Sequence, residues 1–248
     1  MRILISTLGS VGDFDPFLRL AVALRELGHD PRLHANEAYA SRAAAVGIPY
    51  TVTGTADQLR TFKEDPASRD TRSGLTRVAE GTCAAIPAAI ERLTAQVEPG
   101  NTLLVASTFA FAPRLMAEAH GLPLAVVHLS PANIRSEYEA PKVLPVGHMT
   151  GWPRAFKRGL WRMMDKRFID PTFGVPLNRQ RAALGLPPIE RPFHHWLHQG
   201  HAMLGLFPSW FAQAQPDWPG NAHIVGFPLP TGPRPALDPT LDTWLSSG

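Results

Sequence analysis

The stretch RILISTLGSVGDFDPFLRLAVALRELGHDPRLHA, residues 2–35, decides the fold that this sequence predicts. Its first apolar run, residues 2–7, is typical of a buried strand. Residues 15–28 then repeat apolar side chains at helical spacing. Residues 31–35 predict a second strand. A strand, a helix and a second strand in this order favour a parallel sheet with right-handed crossovers.

The same alternation of strand and helix patterns continues along the chain. Further strands are predicted at 48–52, 102–107, 122–130, 202–207 and 222–228, and further helices at 37–46, 74–97, 109–120, 153–168 and 176–184. Residues 54–73 are polar and predict a surface excursion, while residues 131–151 predict a loop. The predicted fold class is therefore α/β, a Rossmann-like parallel sheet with helices on both faces.

A proline-rich stretch near the end of the chain predicts a domain boundary. The segment PLPTGPRPALDP, residues 228–239, reads as a linker, and a short helix is predicted to begin near Asp238. We expect residues 1–227 to form one domain. Residues 228–248 then hold the linker and the start of a second domain.

Composition limits the classes of function. The 248 residues carry a formal net charge of +3, and no arginine-rich run alternates with aromatic residues, so nucleic acid is not an expected partner. The single cysteine, Cys83, excludes an intrachain disulfide framework and favours a reducing compartment. No apolar stretch is long enough to span a bilayer as a helix. We expect a cytoplasmic protein and leave peripheral contact with the inner membrane face open.

The segment GSVGDFDP, residues 9–16, lies where the first strand gives way to the first helix. Such a loop lies at the carboxyl edge of a parallel sheet, where α/β folds bind ligands. Asp15 followed by Pro16 predicts an N-cap and a first helical residue. Asp13 precedes that cap by two residues, which leaves two alternatives: a solvated loop aspartate or a general base. The G-x-x-G spacing lacks the third glycine of the dinucleotide fingerprint.

The motif also carries a resemblance. The run GSVGDFDPFLRLAVALRELGHD, residues 9–30, resembles the start of GT-B glycosyltransferases of the UDP-glucuronosyltransferase-like superfamily. Residues 159–188 and 207–229 are similar to the catalytic rhamnosyltransferase subgroup of rhamnolipid synthesis. The resemblance covers essentially the whole chain, but only the first half of such an enzyme.

The resemblance implies a fold and a chemistry. It implies two Rossmann-like domains facing a cleft, of which this chain is the first and binds the acceptor. It further implies inverting transfer of a hexose or deoxyhexose from a dTDP- or UDP-sugar to a hydroxyl of a lipid-like or other small acceptor. Asp13 would be the general base, and Gly9, Ser10 and Gly12 would contact the donor. No metal or further cofactor is implied, and the fragment alone is expected to be inactive.

Candidate acceptor-binding residues follow several of the predicted strands. They are Phe14, Phe17, Phe109, Phe111, His128, Ser130, Phe207, Ser209 and Trp210. Their grouping at strand ends favours an acceptor pocket there. Ordinary core packing is the alternative for each aromatic ring, and a satisfied core histidine is the alternative for His128.

Three other readings stay open. The cluster HHWLHQGH, residues 194–201, places four histidines close together, but no acidic residue completes a metal motif. The basic amphipathic pattern at residues 153–170 fits either an anionic membrane surface or a core-packed helix. The chain is alternatively a non-catalytic half of a two-chain transferase that binds an acceptor or partner, or a nucleotide-binding Rossmann domain with Glu37 after its second strand.

Overall fold

The computed structural model describes residues 1–139, 149, 151–229 and 237–247. Its strands are β1 (Arg2–Ser6), β2 (Asp30–Asn36), β3 (Tyr50–Gly54), β4 (Thr102–Ser107), β5 (Leu124–His128), β6 (Ala202–Gly205) and β7 (Ala222–Ile224). Its α-helices are α1 (Val11–Glu26), α2 (Ala40–Ala45), α3 (Ala56–Glu64), α4 (Thr71–Ala84), α5 (Ile86–Thr94), α6 (Phe111–His120), α7 (Arg154–Met164), α8 (Val175–Ala183) and α9 (Pro239–Ser246).

The strands of the described residues form one parallel sheet in the order β3-β2-β1-β4-β5-β6-β7. Arg2 of β1 pairs with Asp30 of β2 on one side and with Thr102 of β4 on the other. The chain therefore builds the sheet outward from β1 in one direction, returns, and builds it outward from β4 in the other. This arrangement confirms the predicted Rossmann-like α/β class and places a topological switch point between β1 and β4.

Helices cover both faces of the sheet. On one face, Phe14 and Phe17 of α1 pack in a buried cluster with Ile3 and Ile5 of β1. On the other face, Leu4 belongs to a second buried cluster, which includes residues of α5 and α6. Successive strand residues point to opposite faces, so one apolar strand serves both layers of the core.

The predicted helix over 74–97 is two helices. α4 ends at Ala84, and α5 begins at Ile86 with Pro87 in its first turn. Proline has no N–H to donate to the preceding turn, so it is tolerated at a helix start and ends a longer helix. The polar residues 54–73 form α3, which buries none of its side chains, followed by a short 3₁₀ turn at Pro66–Arg69.

A long helical run joins α7 and α8 through a π-helix at Asp165–Gly174. The buried positions of this run recur every four residues: Lys157, Trp161, Asp165, Ile169, Phe173, Leu177 and Arg181. In an α-helix of 3.6 residues per turn, each step of four turns the side chain by about 40°. The π-helix winds more slowly, with the Val175 N–H donating to the Asp170 carbonyl, and keeps these positions on one face.

The buried face of α7 differs from the apolar side that the sequence suggests. Lys157 and Trp161 are buried, whereas Phe156 and Met163 are 57% and 56% exposed. Burial of Lys157 is possible because its Nζ donates to the Tyr138 carbonyl at 2.8 Å. The simple interpretation of a core-packed apolar side is therefore wrong for this helix.

The short helix predicted near Asp238 is confirmed as α9. The Asp238 carboxylate caps it by accepting from the Thr240 N–H at 2.9 Å. Most of the predicted linker, residues 230–236, lies outside the described residues. Among the described residues, none of the helices combines the length and the apolar character needed to cross a bilayer.

Candidate active site

The loop between β1 and α1, residues 7–10 and here called the glycine loop, lies at the carboxyl edge of the sheet beside the switch point. Two side chains fix it. Thr7 Oγ1 donates to the Asp13 carbonyl at 3.1 Å, and the Tyr39 hydroxyl donates to the Gly9 carbonyl at 3.2 Å. Burial, and then the charges of Asp13 and Asp15, raise the pKa of Tyr39, so its hydroxyl stays a donor.

The start of α1 gives Asp13 a structural role that the sequence interpretation missed. The helix begins at Val11 with Ser10 as its N-cap. Asp13 Oδ2 accepts from the Ser10 N–H at 2.8 Å and from the Ser10 hydroxyl at 2.9 Å. The pattern is a capping box, whose sequence signature of serine followed three residues later by an acid was present at 10–13.

The prediction that Asp15 caps the helix is wrong. Asp15 lies inside α1, and its carboxylate accepts from Arg42 at 2.7 Å. The helix starts at Val11, five residues before the predicted first residue Pro16, because the capping box stabilises its first turn. Pro16 is consequently inside the helix rather than at its first position.

Gly9 makes the position of the Asp13 carboxylate possible. Its φ is +127°, and a Cβ at this residue would fall 2.3 Å from Asp13 Oδ2. A Cβ on Gly12 would lie 3.6 Å from the Ser10 hydroxyl, an ordinary contact. Both hydrogen bonds from Ser10 go to Oδ2, and within the described chain Oδ1 accepts none. Asp13 is thus a half-buried carboxylate with one oxygen held and the other open.

Four of the predicted acceptor-binding aromatics belong to the core. Phe14, Phe17, Phe111 and Phe207 are at most 2% exposed. Phe14 stacks on Tyr39 with ring centroids 4.7 Å apart, and Phe207 packs against Trp218. These rings present almost no surface to solvent, so their placement as acceptor contacts is corrected to core packing.

The other predicted aromatics lie nearer the surface. Phe109 is half-buried and its ring contacts Phe173. Trp210, which follows β6, is 79% exposed and makes edge contacts with Phe211 and Phe227, both also exposed. Together Trp210, Phe211 and Phe227 form an exposed ring cluster at the carboxyl edge. Phe211 and Phe227 were not among the predicted residues.

The two predicted serines lie at the ends of neighbouring strands. Ser130 is half-buried, and its hydroxyl accepts from the Ala132 N–H at 3.2 Å. Ser209 is exposed. Both serines therefore lie at the surface of the carboxyl edge, with the exposed ring cluster beyond β6.

His128 lies in a buried polar chain rather than in a pocket. Its Nδ1 pairs with Thr108 Oγ1 at 3.0 Å, and its Nε2 pairs with His198 Nδ1 at 3.0 Å. Burial, followed by the charge on Arg114, lowers the pKa of His198 to about 3, and burial also lowers the pKa of His128 well below its ordinary value. Both imidazoles are therefore neutral, and one N–H lies in the hydrogen bond between them. This arrangement matches the alternative of a satisfied core histidine for His128.

The histidine cluster does not converge on one point. His198 pairs with His128, while His201 Nδ1 accepts from the Leu124 N–H at 3.2 Å. Within the described residues, no group of three or more histidine, cysteine, aspartate or glutamate side chains is placed to hold a metal ion.

A small cavity of about 30 Å³ lies below the glycine loop. It is lined by Ser6, His34 and Thr53, whose side-chain polar atoms have no hydrogen-bond partner among the described residues. Burial, with the charges of Arg32 and Arg92, lowers the pKa of His34 to about 4. The edge therefore combines the Asp13 carboxylate at the start of α1 with a neutral histidine beneath the glycine loop.

Sequence comparison gives this edge a context. The chain is 36% identical to glycosyltransferase GtfE of Amycolatopsis orientalis, over 84% of this chain and 51% of that protein. It is 32% identical to the vancomycin aglycone glucosyltransferase of the same organism, again over 84% of this chain and 51% of that protein. Its relatives are glycosyltransferases. No protein-family model matches the chain.

Solved structures agree in fold. The glycosyltransferase SnogD from Streptomyces nogalater matches with a TM-score of 0.59 and 18% identity, over 96% of this chain and 55% of SnogD. The glycosyltransferase VinC, solved in complex with dTDP, matches with a TM-score of 0.54 and 16% identity, over 87% of this chain and 52% of VinC. These neighbours have the GT-B fold. The chain spans about half the length of the curated relatives it matches.

Proposed function

We propose that this chain is the acceptor-binding half of an inverting glycosyltransferase in which Asp13 is the general base. The position of Asp13 carries the proposal: it is a half-buried carboxylate, fixed beside the switch point where α/β folds bind ligands. The activity named for its relatives supports sugar transfer. General base assistance of this kind contributes ~10²–10⁴-fold in rate.

The proposed reaction is a single displacement. The acceptor hydroxyl oxygen forms a bond to the anomeric carbon of the donor while its proton passes to the Asp13 carboxylate. The bond from the anomeric carbon to the diphosphate oxygen breaks, and its electron pair leaves with the nucleoside diphosphate. Attack from the side opposite the leaving group inverts the configuration at the anomeric carbon.

The glycine loop and the first turn of α1 divide their hydrogen-bond donors between two tasks. The N–H and hydroxyl of Ser10 hold Asp13, which leaves the N–H groups of Gly9 and Gly12 to approach the donor phosphates or sugar. We assign residues 1–227 to acceptor binding. Residues 228–248 are the linker and the start of a donor-binding domain.

The acceptor is proposed to lie over the carboxyl edge, between Asp13 and the exposed ring cluster. Phe109 and Trp210 offer flat apolar surface there, and Ser130 and Ser209 offer hydroxyl groups. This combination suits a hydroxyl-bearing aromatic or lipid-like acceptor. A relative is named for its action on vancomycin aglycone, and a neighbour binds dTDP, which supports an aglycone acceptor and a dTDP- or UDP-sugar donor.

The test is substitution of Asp13 by Asn in the full protein that carries this chain. Asn at this position keeps an oxygen for the Ser10 N–H, so the helix start survives while the proton acceptor is lost. We expect transfer, followed by mass spectrometry of the glycosylated acceptor, to fall by ~10²-fold or more with donor binding unchanged. Asp15→Asn is the matched control, because Asp15 lies on the same helix and pairs with Arg42.

Transfer by Asp13→Asn at the wild-type rate would contradict the assignment of the base. It would favour the non-catalytic alternative, in which this chain only binds an acceptor or a partner. A chain that binds NAD or NADP in a nucleotide titration, and no sugar nucleotide in its full protein, would favour the dinucleotide-binding alternative.

A second proposal concerns α7. Its exposed residues include the apolar Phe156 and Met163 and the basic Arg162, a combination that suits contact with an anionic membrane. We expect co-sedimentation with vesicles containing phosphatidylglycerol and less with neutral phosphatidylcholine vesicles. Phe156→Ser should weaken it, and binding that ignores both lipid charge and this substitution would contradict the proposal.

A further inference from the structure

A series of hydrogen-bonded side chains, here called the polar chain, leads from the interior of the protein to the carboxyl edge of the sheet. It consists of Asn133, Thr108, His128 and His198. Thr108 follows β4 and Asn133 follows β5, so both lie at the edge that also holds the glycine loop. The polar chain therefore ends where α/β folds bind ligands.

The hydrogen bonds of the polar chain all run in one direction. Asn133 Nδ2 donates to Thr108 Oγ1 at 3.3 Å, which leaves the hydroxyl proton of Thr108 for His128 Nδ1 at 3.0 Å. A neutral histidine that accepts at Nδ1 carries its proton at Nε2, where His128 meets His198 Nδ1 at 3.0 Å. The buried members of the chain thus hold the Asn133 amide in one orientation.

A buried arginine fixes the loop that carries Thr108. Arg114 donates to the Ser107 and Ala110 carbonyls, each at 2.8 Å, which lie on either side of Thr108 in the sequence. It also donates to the Leu197 carbonyl at 3.3 Å, in the segment that precedes β6. The loop after β4 is therefore tied to the same segment that supplies the last histidine of the polar chain.

The backbone of Asn133 is fixed as well. Its N–H donates to the Ser130 carbonyl at 3.2 Å, and the Ile134 N–H donates to the Pro131 carbonyl at 3.0 Å, in a short 3₁₀ turn. The side chain of Ile134 is buried in the cluster that also holds Leu4, so the turn is anchored to the core. Asn133 is thus held by its backbone and by its side chain.

The amide of Asn133 keeps its oxygen unused. Nδ2 donates to Thr108, whereas Oδ1 accepts no hydrogen bond from the described residues. The side chain is half-buried, and Oδ1 is not one of the enclosed polar atoms that lack a partner. The oxygen is therefore open to solvent or to a ligand, and an amide oxygen can only accept.

Asn133 lies midway along the proposed acceptor site. The carboxyl edge runs from Asp13, after β1, past the loops that follow β4 and β5, to the exposed ring cluster beyond β6. β1 and β5 are two strand spacings apart in the sheet, about 10 Å. A multi-ring acceptor whose reacting hydroxyl lies at Asp13 therefore spans enough of the edge to present a second group to Asn133.

We propose that Asn133 determines acceptor specificity: its Oδ1 accepts a hydrogen bond from a second hydroxyl or N–H group of the acceptor. The inference rests on the proposed function because it requires the acceptor to lie over the carboxyl edge, but it does not require Asp13 to be the base. Thr108 and His128 are positioning residues that act through Asn133. Acceptors with a second hydrogen-bond donor are therefore preferred to those without one.

The test compares two rigid probes, para,para′-biphenol and para-phenylphenol, which differ only in the second hydroxyl. Their binding to the full protein that carries this chain is measured by calorimetry with dTDP and without a sugar donor, so that no transfer step contributes. We expect biphenol to bind about tenfold more tightly, as one added hydrogen bond typically provides, beyond the statistical advantage of its two equivalent hydroxyls. Equal affinities, or no binding of either probe, would overturn the proposal.

Variants assign the preference to Asn133. Asn133→Ala should abolish it, by weakening the binding of biphenol and leaving that of phenylphenol unchanged. Thr108→Val removes the hydroxyl that orients Asn133 and should reduce the preference, whereas Thr108→Ser keeps the hydroxyl and should retain it. Asn101→Ala is the matched control, because Asn101 is exposed and precedes β4 at the opposite edge of the sheet.

The preference is a ratio of two affinities within one variant, so a partial loss of folded protein leaves it unchanged. Full preference in Asn133→Ala would overturn the role of Asn133, and full preference in Thr108→Val would overturn the positioning role of Thr108. Wild-type transfer by Asp13→Asn, with a preference that still depends on Asn133, would contradict the assignment of the base but support this inference. The two proposals can therefore fail separately.

Discussion

The glycine loop and the start of the π-helix both hold a carboxylate in place, and they do so by opposite means. Asp13 is held by the N–H and hydroxyl of Ser10, three residues earlier in the chain. Asp165 is held by Arg135 and Arg191, which lie 30 and 26 residues away. One carboxylate is half-buried with an open oxygen, and the other is fully enclosed.

The difference separates a site that a short segment builds by itself from one that requires the finished fold. The capping box at α1 needs only Ser10 and Asp13 on one helix start. The charge arrangement at Asp165 needs the loop after β5, the π-helix and the segment before β6 in register. We therefore expect substitutions of Asp165 and its two arginines to cost mainly stability, and substitutions at the glycine loop to cost mainly activity.

The largest expected effect is that of Asp165→Ala. It leaves Arg135 and Arg191 without their shared partner, and breaking a buried ion pair in this way typically costs about 3–5 kcal/mol. The measurement is the free energy of unfolding in urea. Asp57→Ala on the exposed face of α3 is the control and should change it by about 0.5 kcal/mol or less. An equal loss of unfolding free energy in Asp165→Ala and Asp57→Ala would contradict the claim that the enclosed Asp165 ion pairs stabilise the fold.

The next effect depends on pH and concerns His34 below the glycine loop. The pKa of His34 is about 4 in the fold and about 6.5 in the unfolded chain, so the unfolded state binds more protons between these values. The stability from neutral His34 is complete above pH 6.5 and is lost as pH falls toward 4, by about 3 kcal/mol.

His34→Leu should remove this part of the acid sensitivity. Urea unfolding at pH 7.5 and pH 4.5 measures it, with His223→Leu on the exposed side of β7 as the control. The His34 variant should lose less stability on acidification than the wild type, whereas the control should lose as much. If His34→Leu loses as much stability between pH 7.5 and pH 4.5 as the wild type does, the imidazole of His34 is not buried in its neutral form.

Gly9→Ala tests whether the position of the Asp13 carboxylate requires a glycine at residue 9. The positive φ strains alanine, and its Cβ would displace Asp13 Oδ2. We expect about 2 kcal/mol of lost stability. If Asp13 is the base, transfer should also fall by ~10-fold or more. Gly12→Ala is the matched control for stability and should be close to neutral, because its Cβ meets only an ordinary contact. A Gly9 variant as active as the wild type would mean that transfer does not depend on the present position of the Asp13 carboxylate.

The smallest expected effect is that of Ser10→Ala. It removes the N-cap hydroxyl of α1 but keeps the backbone N–H that Asp13 accepts from. Loss of a cap typically costs about 1 kcal/mol, measured as a shift in the midpoint of thermal unfolding. A loss of stability in Ser10→Ala as large as that in Asp165→Ala would contradict the view that only Asp165 depends on partners from distant parts of the fold.

The contrast between features set by a short segment and features that need distant segments also explains what the sequence could predict. Apolar periodicity predicted β1, α1 and the alternation of strands and helices along the chain, because those patterns are local. The N-terminus of α1 was placed five residues late because Asp15-Pro16 was used as its start and the capping box at 10–13 was passed over. The expected core face of α7 was wrong because burial of Lys157 depends on the Tyr138 carbonyl, a contact that helical spacing does not encode.

The candidate site was predicted in the same uneven way. Asp13 and the glycine loop follow from their place after the first strand. Phe207 follows β6 and Phe14 lies near the start of α1, but their rings turn into the core, and sequence spacing does not encode that choice. The group of Trp161, Asp165 and Arg191 could not be predicted from the sequence. A helical period of 3.6 residues does not place residues 161 and 165 on one face with residues 173 and 181.

The four-residue period of the run from Lys157 to Arg181 has a consequence for how this region tolerates change in length. Six steps of four in a regular α-helix would carry the last position about 240° around the axis. The π-helix at Asp165–Gly174 offsets much of that rotation, because each of its turns contains more residues than a turn of an α-helix. Deleting a single residue there would leave a well-formed helix. It would also turn Arg181 away from its partner Glu118 and separate the enclosed carboxylate from the rest of the buried face.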